Sequence, residues 1–255
     1  MSRSPRPRVK ICGVTDVVDS RRSIELGAEL IGLNFFPESP RYIAPGAAAE
    51  LVAASRDGEK STLWVGVFVN EPVDRAVEIA EQVGLDLLQF HGDETPDEIA
   101  PVAERSIKAL RVRGDLTADL LDPWRDLGLW GLLIDARHDT LYGGSGDRWN
   151  VESLPKALGF AGSDAGAPRV MVAGGLAPDN VAEVARAARP WGLDLCSGVE
   201  ASKGRKDPAL LERLFEALNT SDDLNTDGLS SGSHRLAAAS PGDQEKKHGQ
   251  TTTAA

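Results

Sequence analysis

The feature that most constrains this chain is a beat: eight short strand-like runs alternate with eight helical patterns over about 210 residues, a length that suits a compact β/α barrel. The strand-like runs are Val9 to Ile11, Leu30 to Phe35, Leu63 to Val69, Leu87 to Phe90, Ser106 to Leu110, Gly131 to Asp135, Arg169 to Ala173 and Leu193 to Cys196. The helical patterns lie at Asp16 to Leu26, Gly46 to Ser55, Pro72 to Val83, Pro96 to Ala103, Thr117 to Leu127, Val151 to Leu158, Pro178 to Ala188 and Pro208 to Leu218. Several open on helix-start signals, such as Asn70 before Glu71-Pro72 and Thr95 before Pro96. A doubly wound open sheet carries the same local signature, but the strand count favours a single α/β barrel of the (β/α)8 type.

The domain boundary follows from composition. Beyond Leu218 the chain turns to Ser, Asp, Gly, Thr, Gln and Lys with isolated leucines, too aperiodic to bury a face. The expectation is a barrel domain over residues 1–219 and a disordered, low-complexity tail over 220–255 that catalysis does not need. His234 and His248 fall in that tail.

With 255 residues, 41% of them hydrophobic and 26% charged, the chain can bury one sizeable core. A net charge of -11 argues against nucleic acid and anionic membranes as partners. No apolar run approaches the roughly 20 residues that span a bilayer, and the Arg/Pro-rich N-terminus lacks a signal core, so a cytoplasmic protein is expected. Its two cysteines are far apart with no metal-ligand spacing, which predicts reduced thiols and no metal; no cofactor is expected either. Monomer and homodimer are equally compatible with a single-domain barrel.

Two strand ends carry the chemistry of anion binding. Ala173-Gly174-Gly175 and Ser197-Gly198 each follow an aliphatic run where a strand hands over to a loop. Glycine lets backbone N–H groups approach an anion closely, and a following helix adds its dipole. In a (β/α)8 barrel such ends, after strands seven and eight, grip phosphate at the catalytic face. The chain is therefore expected to act on a phosphorylated small molecule. Cys12, at the exit of the first strand, is on its own more simply read as a small buried hydrophobe. Asp135, ending the sixth, is by itself equally a turn or helix cap. A thiol and a carboxyl facing each other across a phosphate site are harder to dismiss.

Taken together, these segments resemble the phosphoribosylanthranilate isomerase family of tryptophan biosynthesis. The matching pieces are Lys10-Ile11-Cys12-Gly13-Val14-Thr15, Gly32-Leu33-Asn34-Phe35-Phe36 with Ser39-Pro40-Arg41-Tyr42, Gly66-Val67-Phe68-Val69-Asn70 and Gln89-Phe90-His91-Gly92-Asp93-Glu94. Asp135, Gly143-Gly144-Ser145-Gly146, Ala173-Gly174-Gly175-Leu176 with Pro178-Asp179-Asn180-Val181, and Ser197-Gly198-Val199-Glu200 continue the series from Val9 to about Leu218. The resemblance implies an Amadori rearrangement of a phosphoribosyl substrate, with Asp135 as the acid that opens the ribose ring and Cys12 as the base that removes the C2 proton. An ordinary Asp near about 3.9 must then hold its proton and an ordinary Cys near about 8.5 must release one; burial suits the first and a neighbouring cation or backbone donors the second. Arg41 would pair with the anthranilate carboxylate, a planar group that suits a guanidinium. The phosphate would sit on amides near Gly174, Gly175, Ser197 and Gly198, with the loop containing Gly144 folding over it. His91 is either a substrate contact or a structurally hydrogen-bonded residue.

Strand alternation turns Lys10 to the same side as Cys12, toward the barrel interior, where an ammonium needs a partner. Asp194 lies on the neighbouring strand of a closed barrel, so a Lys10–Asp194 ion pair is predicted; the rival is a Schiff-base lysine without a counter-ion. Three departures from the family pattern stand out: Cys196 where a small residue such as Ser is expected, Gly-Gly-Ser-Gly for Gly-Gly-Thr-Gly, and Trp149-Asn150-Val151 before the sixth helix. If Cys12 and Cys196 both face inward, an oxidant joining them would silence the enzyme. Two other readings remain open: a related barrel isomerase of histidine biosynthesis, and a phosphosugar-binding barrel without catalysis. The first lacks its second glycine pair at Phe90-His91-Gly92-Asp93, and the second is disfavoured by the presence of both Cys12 and Asp135.

Overall fold

The computed structural model describes residues 6–56, 62–112, 117–135 and 169–227. Eight parallel strands close into a barrel in chain order: β1 (Arg8–Cys12), β2 (Leu30–Asn34), β3 (Leu63–Phe68), β4 (Leu87–Phe90), β5 (Ser106–Arg111), β6 (Gly131–Asp135), β7 (Arg169–Ala173) and β8 (Gly192–Leu195). The expected beat is therefore a closed (β/α)8 barrel and not an open sheet. Each expected strand is present, with ends shifted by a residue or so.

The helices that cover the strands are α1 (Val17–Leu26), α2 (Pro45–Ser55), α3 (Val73–Val83), α4 (Pro96–Ile99), α5 (Ala118–Leu121), α6 (Val181–Ala188) and α7 (Pro208–Asp227). Local chemistry sets their ends. Asp16 caps α1 by accepting from the Asp19 amide at 2.9 Å, and Gly27 closes it in the left-handed conformation. Thr95 and Glu98 form a reciprocal capping box on α4. Two expected helices are shorter than the sequence pattern implies. After α4 the chain tightens to a 3-10 turn over Ala100–Arg105, and after α5 to another over Asp122–Trp124. Pro101 and Pro123 account for both, since neither has an N–H for the i−4 carbonyl. The expected sixth helix, Val151 to Leu158, lies outside the described residues. α7 runs to Asp227, past the domain boundary expected at 219, and residues 228–255 lie outside the description. No helix of the described residues is long and apolar enough to cross a membrane.

Side-chain alternation divides the core into two layers. Leu30, Val65, Leu87, Ile107, Ala109, Leu133, Met171 and Ala173 fill the barrel interior. The complementary set, including Ile11, Leu33, Trp64, Phe68, Phe90, Leu132 and Leu193, packs outward under the helices. Burying side chains of this size contributes about 1.5–3 kcal/mol each. The register runs one row across four strands, Lys10 to Asp194, Asp194 to Ala173, and Ala173 to Asp135. That row places three charged residues, Lys10, Asp194 and Asp135, at or just below the rim at which the strands end.

Candidate active site

A cavity of about 320 Å3 opens at the C-terminal ends of the strands. Cys12, Arg41, His91, Asp135, Gly174, Gly175 and Ser197 all line it, so most of the expected site residues converge on one place. Gly198 lies beneath rather than on the wall: a Cβ there would sit 1.9 Å from the Leu176 carbonyl oxygen. The loops after β7 and β8 therefore touch backbone to backbone, an approach only glycine permits. Gly144 lies outside the described residues.

Cys12 is buried and unbridged at the end of β1. Its partner in the next row is Cys196, because the β1–β8 register ends with Ile11 opposite Leu195. The Cys196 thiol donates to Cys12 and, with the nearby Lys10 and Lys206 ammonium groups, holds the Cys12 thiol well below the ordinary range, against the opposing effect of burial. The same bond and the same burial push Cys196 up. The pair thus consists of one thiolate-prone sulfur and one proton-keeping sulfur.

The predicted ion pair is present: Lys10 Nζ donates to Asp194 Oδ1 at 2.9 Å, with the Lys10 side chain fully buried. Burial works against the ammonium, yet Asp194 and Cys12 keep its pKa above the ordinary value. Asp194 is pushed up to about 6, burial outweighing the pull of Lys10. A lysine with so close a counter-ion is a poor Schiff-base nucleophile, which removes the aldolase alternative on geometric grounds.

Across the cavity, His91 Nε2 lies 3.3 Å from Asp135 Oδ2. With the Gln89 amide assigned to donate to His91 Nδ1 at 3.1 Å, Nε2 carries the proton and donates to the carboxylate. Asp135 Oδ1 is buried and has no hydrogen-bond partner among the described residues. An orphaned carboxylate oxygen on the wall of a cavity is costly unless a ligand meets it. His91 thereby acts on Asp135, the structural role, while also lining the cavity.

Arg41 reaches the cavity across the end of β1. Gly13, at φ 70°, makes room for its stem, since a Cβ there would lie 2.5 Å from Arg41 Cδ. Its guanidinium is already gripped by Glu200: Nε donates to Oε1 at 2.7 Å and Nη2 to Oε2 at 2.6 Å. Glu200 belongs to a small hairpin after β8, β9 (Glu200–Ser202) and β10 (Arg205–Lys206), in which it pairs with Lys206. Lys206 is buried and donates to the Cys12 carbonyl at 2.6 Å, the Cys196 carbonyl at 3.2 Å and Glu200 Oε1 at 3.1 Å. Sequence reasoning missed Lys206 and took Glu200 only as the end of a motif. The available signal was Lys203-Gly204, a turn dipeptide whose glycine adopts φ 80°. Among the described residues no group of three or more His, Cys, Asp or Glu side chains is arranged to hold a metal ion.

The family model described as N-(5'phosphoribosyl)anthranilate (PRA) isomerase matches residues 9–217. The chain is 40% identical over 208 residues to the N-(5'-phosphoribosyl)anthranilate isomerase of Citrifermentans bemidjiense, covering 82% of this chain and 95% of that one. Among solved structures, phosphoribosyl anthranilate isomerase from Thermotoga maritima superposes with a TM-score of 0.72 at 30% identity, over 84% of this chain and 99% of that one. A phosphoribosyl anthranilate isomerase in complex with reduced 1-(o-carboxyphenylamino)-1-deoxyribulose 5-phosphate gives a TM-score of 0.69 at 28% identity, over 84% and 99%.

Proposed function

Since the chain belongs to the N-(5'-phosphoribosyl)anthranilate isomerase family and catalyses the Amadori rearrangement of N-(5'-phosphoribosyl)anthranilate to 1-(2-carboxyphenylamino)-1-deoxyribulose 5-phosphate in tryptophan biosynthesis, we propose that Asp135 and Cys12 divide its proton transfers. Asp135, as the acid, protonates the ribose ring oxygen; the C1–O bond breaks and the nitrogen lone pair forms an iminium. The Cys12 thiolate then removes the C2 proton, the electrons of that C–H bond form an enolamine, and tautomerisation delivers the aminoketone. The observation that carries this reading is the meeting, in one cavity, of the Cys12 thiol, bonded by Cys196 and held low, with an Asp135 carboxylate oxygen that has no partner among the described residues. His91 holds Oδ2 of Asp135, which leaves Oδ1 for the ring oxygen.

The remaining contacts divide by substrate end. Arg41 receives the anthranilate carboxylate. The phosphate lies on the backbone around Gly174, Gly175, Ser197 and Gly198, where Ser197–Val199 forms a 3-10 turn whose first amides have no partner within the turn. Asp194 pairs with Lys10 at the wall of the same cavity. No cofactor is needed, because the substrate's own nitrogen lone pair drives the C1–O cleavage and the remaining steps are proton transfers. The reaction is that of a cytoplasmic enzyme working as a monomer or homodimer, within residues 1–219 and independently of the tail.

Anthranilate-ester fluorescence, lost as the substrate is consumed, tests the assignment directly. Wild type should turn over rapidly, while Cys12→Ser and Asp135→Asn should each lose on the order of 100-fold or more in kcat, the usual size of a general acid or base contribution. Either variant retaining wild-type kcat withdraws the role given to that residue.

A further inference from the structure

We propose that Glu200, with its charge balanced by Lys206, is a positioning residue that fixes Arg41 so that the outer edge of its guanidinium receives the aryl carboxylate of the substrate. The proposal rests on the reading of Arg41 as the carboxylate receiver and goes beyond it.

A guanidinium has five N–H groups in a rigid fork. Glu200 takes one from Nε and one from Nη2, and so occupies the inner edge completely. The other edge, formed by Nη1 and the second Nη2 hydrogen, donates to no protein group among the described residues, and the residue lines the cavity. A planar carboxylate docks on that edge with two parallel hydrogen bonds, as Glu200 does on the other. Held at one edge and packed along its stem against Gly13, the side chain has surrendered most of its rotamer freedom before substrate arrives.

A carboxylate next to an anion receiver would ordinarily weaken it. Here Lys206 removes the objection. Its ammonium sits 3.1 Å from Glu200 Oε1, fully buried, and the Gly204 amide donates to the same oxygen at 3.3 Å. Arg41 and Lys206 together carry two positive charges against the one negative charge of Glu200, so Glu200 does not by itself cancel the charge that Arg41 presents. Burial acts against the Glu200 carboxylate, but the Arg41 bond and Lys206 outweigh it and keep the group ionised. Lys206 also donates to the carbonyls of Cys12 and Cys196, which ties the hairpin to the ends of β1 and β8. The hairpin is thus braced at the rim, and Thr15 Oγ1 holds its turn through the Gly204 carbonyl at 2.6 Å.

The test compares two inhibitors, reduced 1-(o-carboxyphenylamino)-1-deoxyribulose 5-phosphate and the same compound without its ring carboxylate. The measured quantity is the ratio of their inhibition constants for wild type, Glu200→Gln, Glu200→Asp and Arg41→Ala, each first checked by circular dichroism and thermal melting. Wild type should strongly prefer the carboxylated compound, and Arg41→Ala should bring the ratio to about one. Glu200→Gln, which offers one acceptor in place of two, should cut the ratio on the order of tenfold, the scale of ordering one long side chain. Affinity for the compound without the carboxylate should stay unchanged. Glu200→Asp, which keeps the charge but shortens the reach, should fall between, and serves if the Gln variant does not fold. KM should rise in both with kcat changed little.

If Arg41→Ala keeps the wild-type ratio, Arg41 is not the carboxylate receiver and both ideas fall together. If Arg41→Ala collapses the ratio while the Glu200 variants leave it unchanged, or raise it, the positioning role alone is overturned. Equal loss of affinity for both compounds in the Glu200 variants also overturns it, because that is the mark of a merely structural residue.

Discussion

Lys10 and Lys108 are both buried in this barrel and both paired, at 2.9 Å with Asp194 and at 2.7 Å with Glu94, yet their surroundings differ in kind. Lys10 points into the barrel, one row beneath the Cys12 thiol, and its field holds that thiol low. Lys108 points outward, over the Trp124 ring at 5.4 Å, and donates also to the Gly92 carbonyl at 2.9 Å. Glu94 in turn accepts from the amides of Asn70 and Gly92. The outer pair is a closed clamp between the loops after β3 and β4. The inner pair is open on one side to the reaction. Similar distances therefore do not mean equal work, and what a buried pair faces decides whether it serves stability or chemistry.

The largest expected effect is at the inner pair. Lys10→Met leaves Asp194 buried without a counter-charge, which should cost about 3–5 kcal/mol in chemical denaturation. It should also lower kcat/KM in the fraction that remains folded. Replacing both partners, as Lys10→Met with Asp194→Leu, should recover most of the stability but not the activity; recovery of both would break the distinction. Lys108→Met should cost a similar amount of stability, for the same reason, while kcat/KM per folded molecule stays at the wild-type level. A drop in specific activity there would merge the two pairs into one class.

The pH dependence sharpens the same contrast at intermediate size. With Cys12 as the proposed base, its ionisation gives kcat/KM a limb that rises with pH. Because the thiol is held well below the ordinary range, that limb should be complete below pH 9. Lys10→Met should shift the rising limb, and the matching limb of iodoacetamide alkylation, to higher pH, whereas Lys108→Met should leave both in place. The smallest effect is expected at Arg75–Glu78, a pair of 2.7 Å whose side chains are about half exposed. Arg75→Ala should change stability by less than about 0.5 kcal/mol, because water and salt screen it.

The inner pair was legible in the sequence, and the outer cage around Arg41 was not. Lys10 and Asp194 follow from period-two alternation and the closure of strand eight on strand one, both of which depend only on the count and direction of strands. The eight strands were legible for the same reason, as aliphatic runs at a regular spacing. Helix lengths were overestimated where Pro101 and Pro123 interrupt apolar periodicity, since hydrophobic spacing does not register a missing N–H. The Glu200–Lys206 hairpin is only three residues on one side and two on the other, and it is polar throughout. Such a segment carries no hydrophobic period to read, and its partner Arg41 is 159 positions away. Cys12, Cys196 and Asp135 could be placed at strand ends from the pattern, but the thiol–thiol bond and the His91–Asp135 contact depend on side-chain placement that no periodicity encodes.

The contact at Gly198 sets a direction for any redesign of substrate choice. With the loops after β7 and β8 pressed main chain to main chain there, the proposed phosphate end is a fixed anvil, and even a methyl group on it becomes a wedge that pries the two loops apart. The proposed carboxylate end is made of side chains, Arg41 from the loop after β2 and Glu200 from the short hairpin, and these can be exchanged one at a time. A library aimed at new aglycones therefore belongs on Arg41, Glu200 and the residues around them, with the glycine jaw left as the common handle for the sugar phosphate.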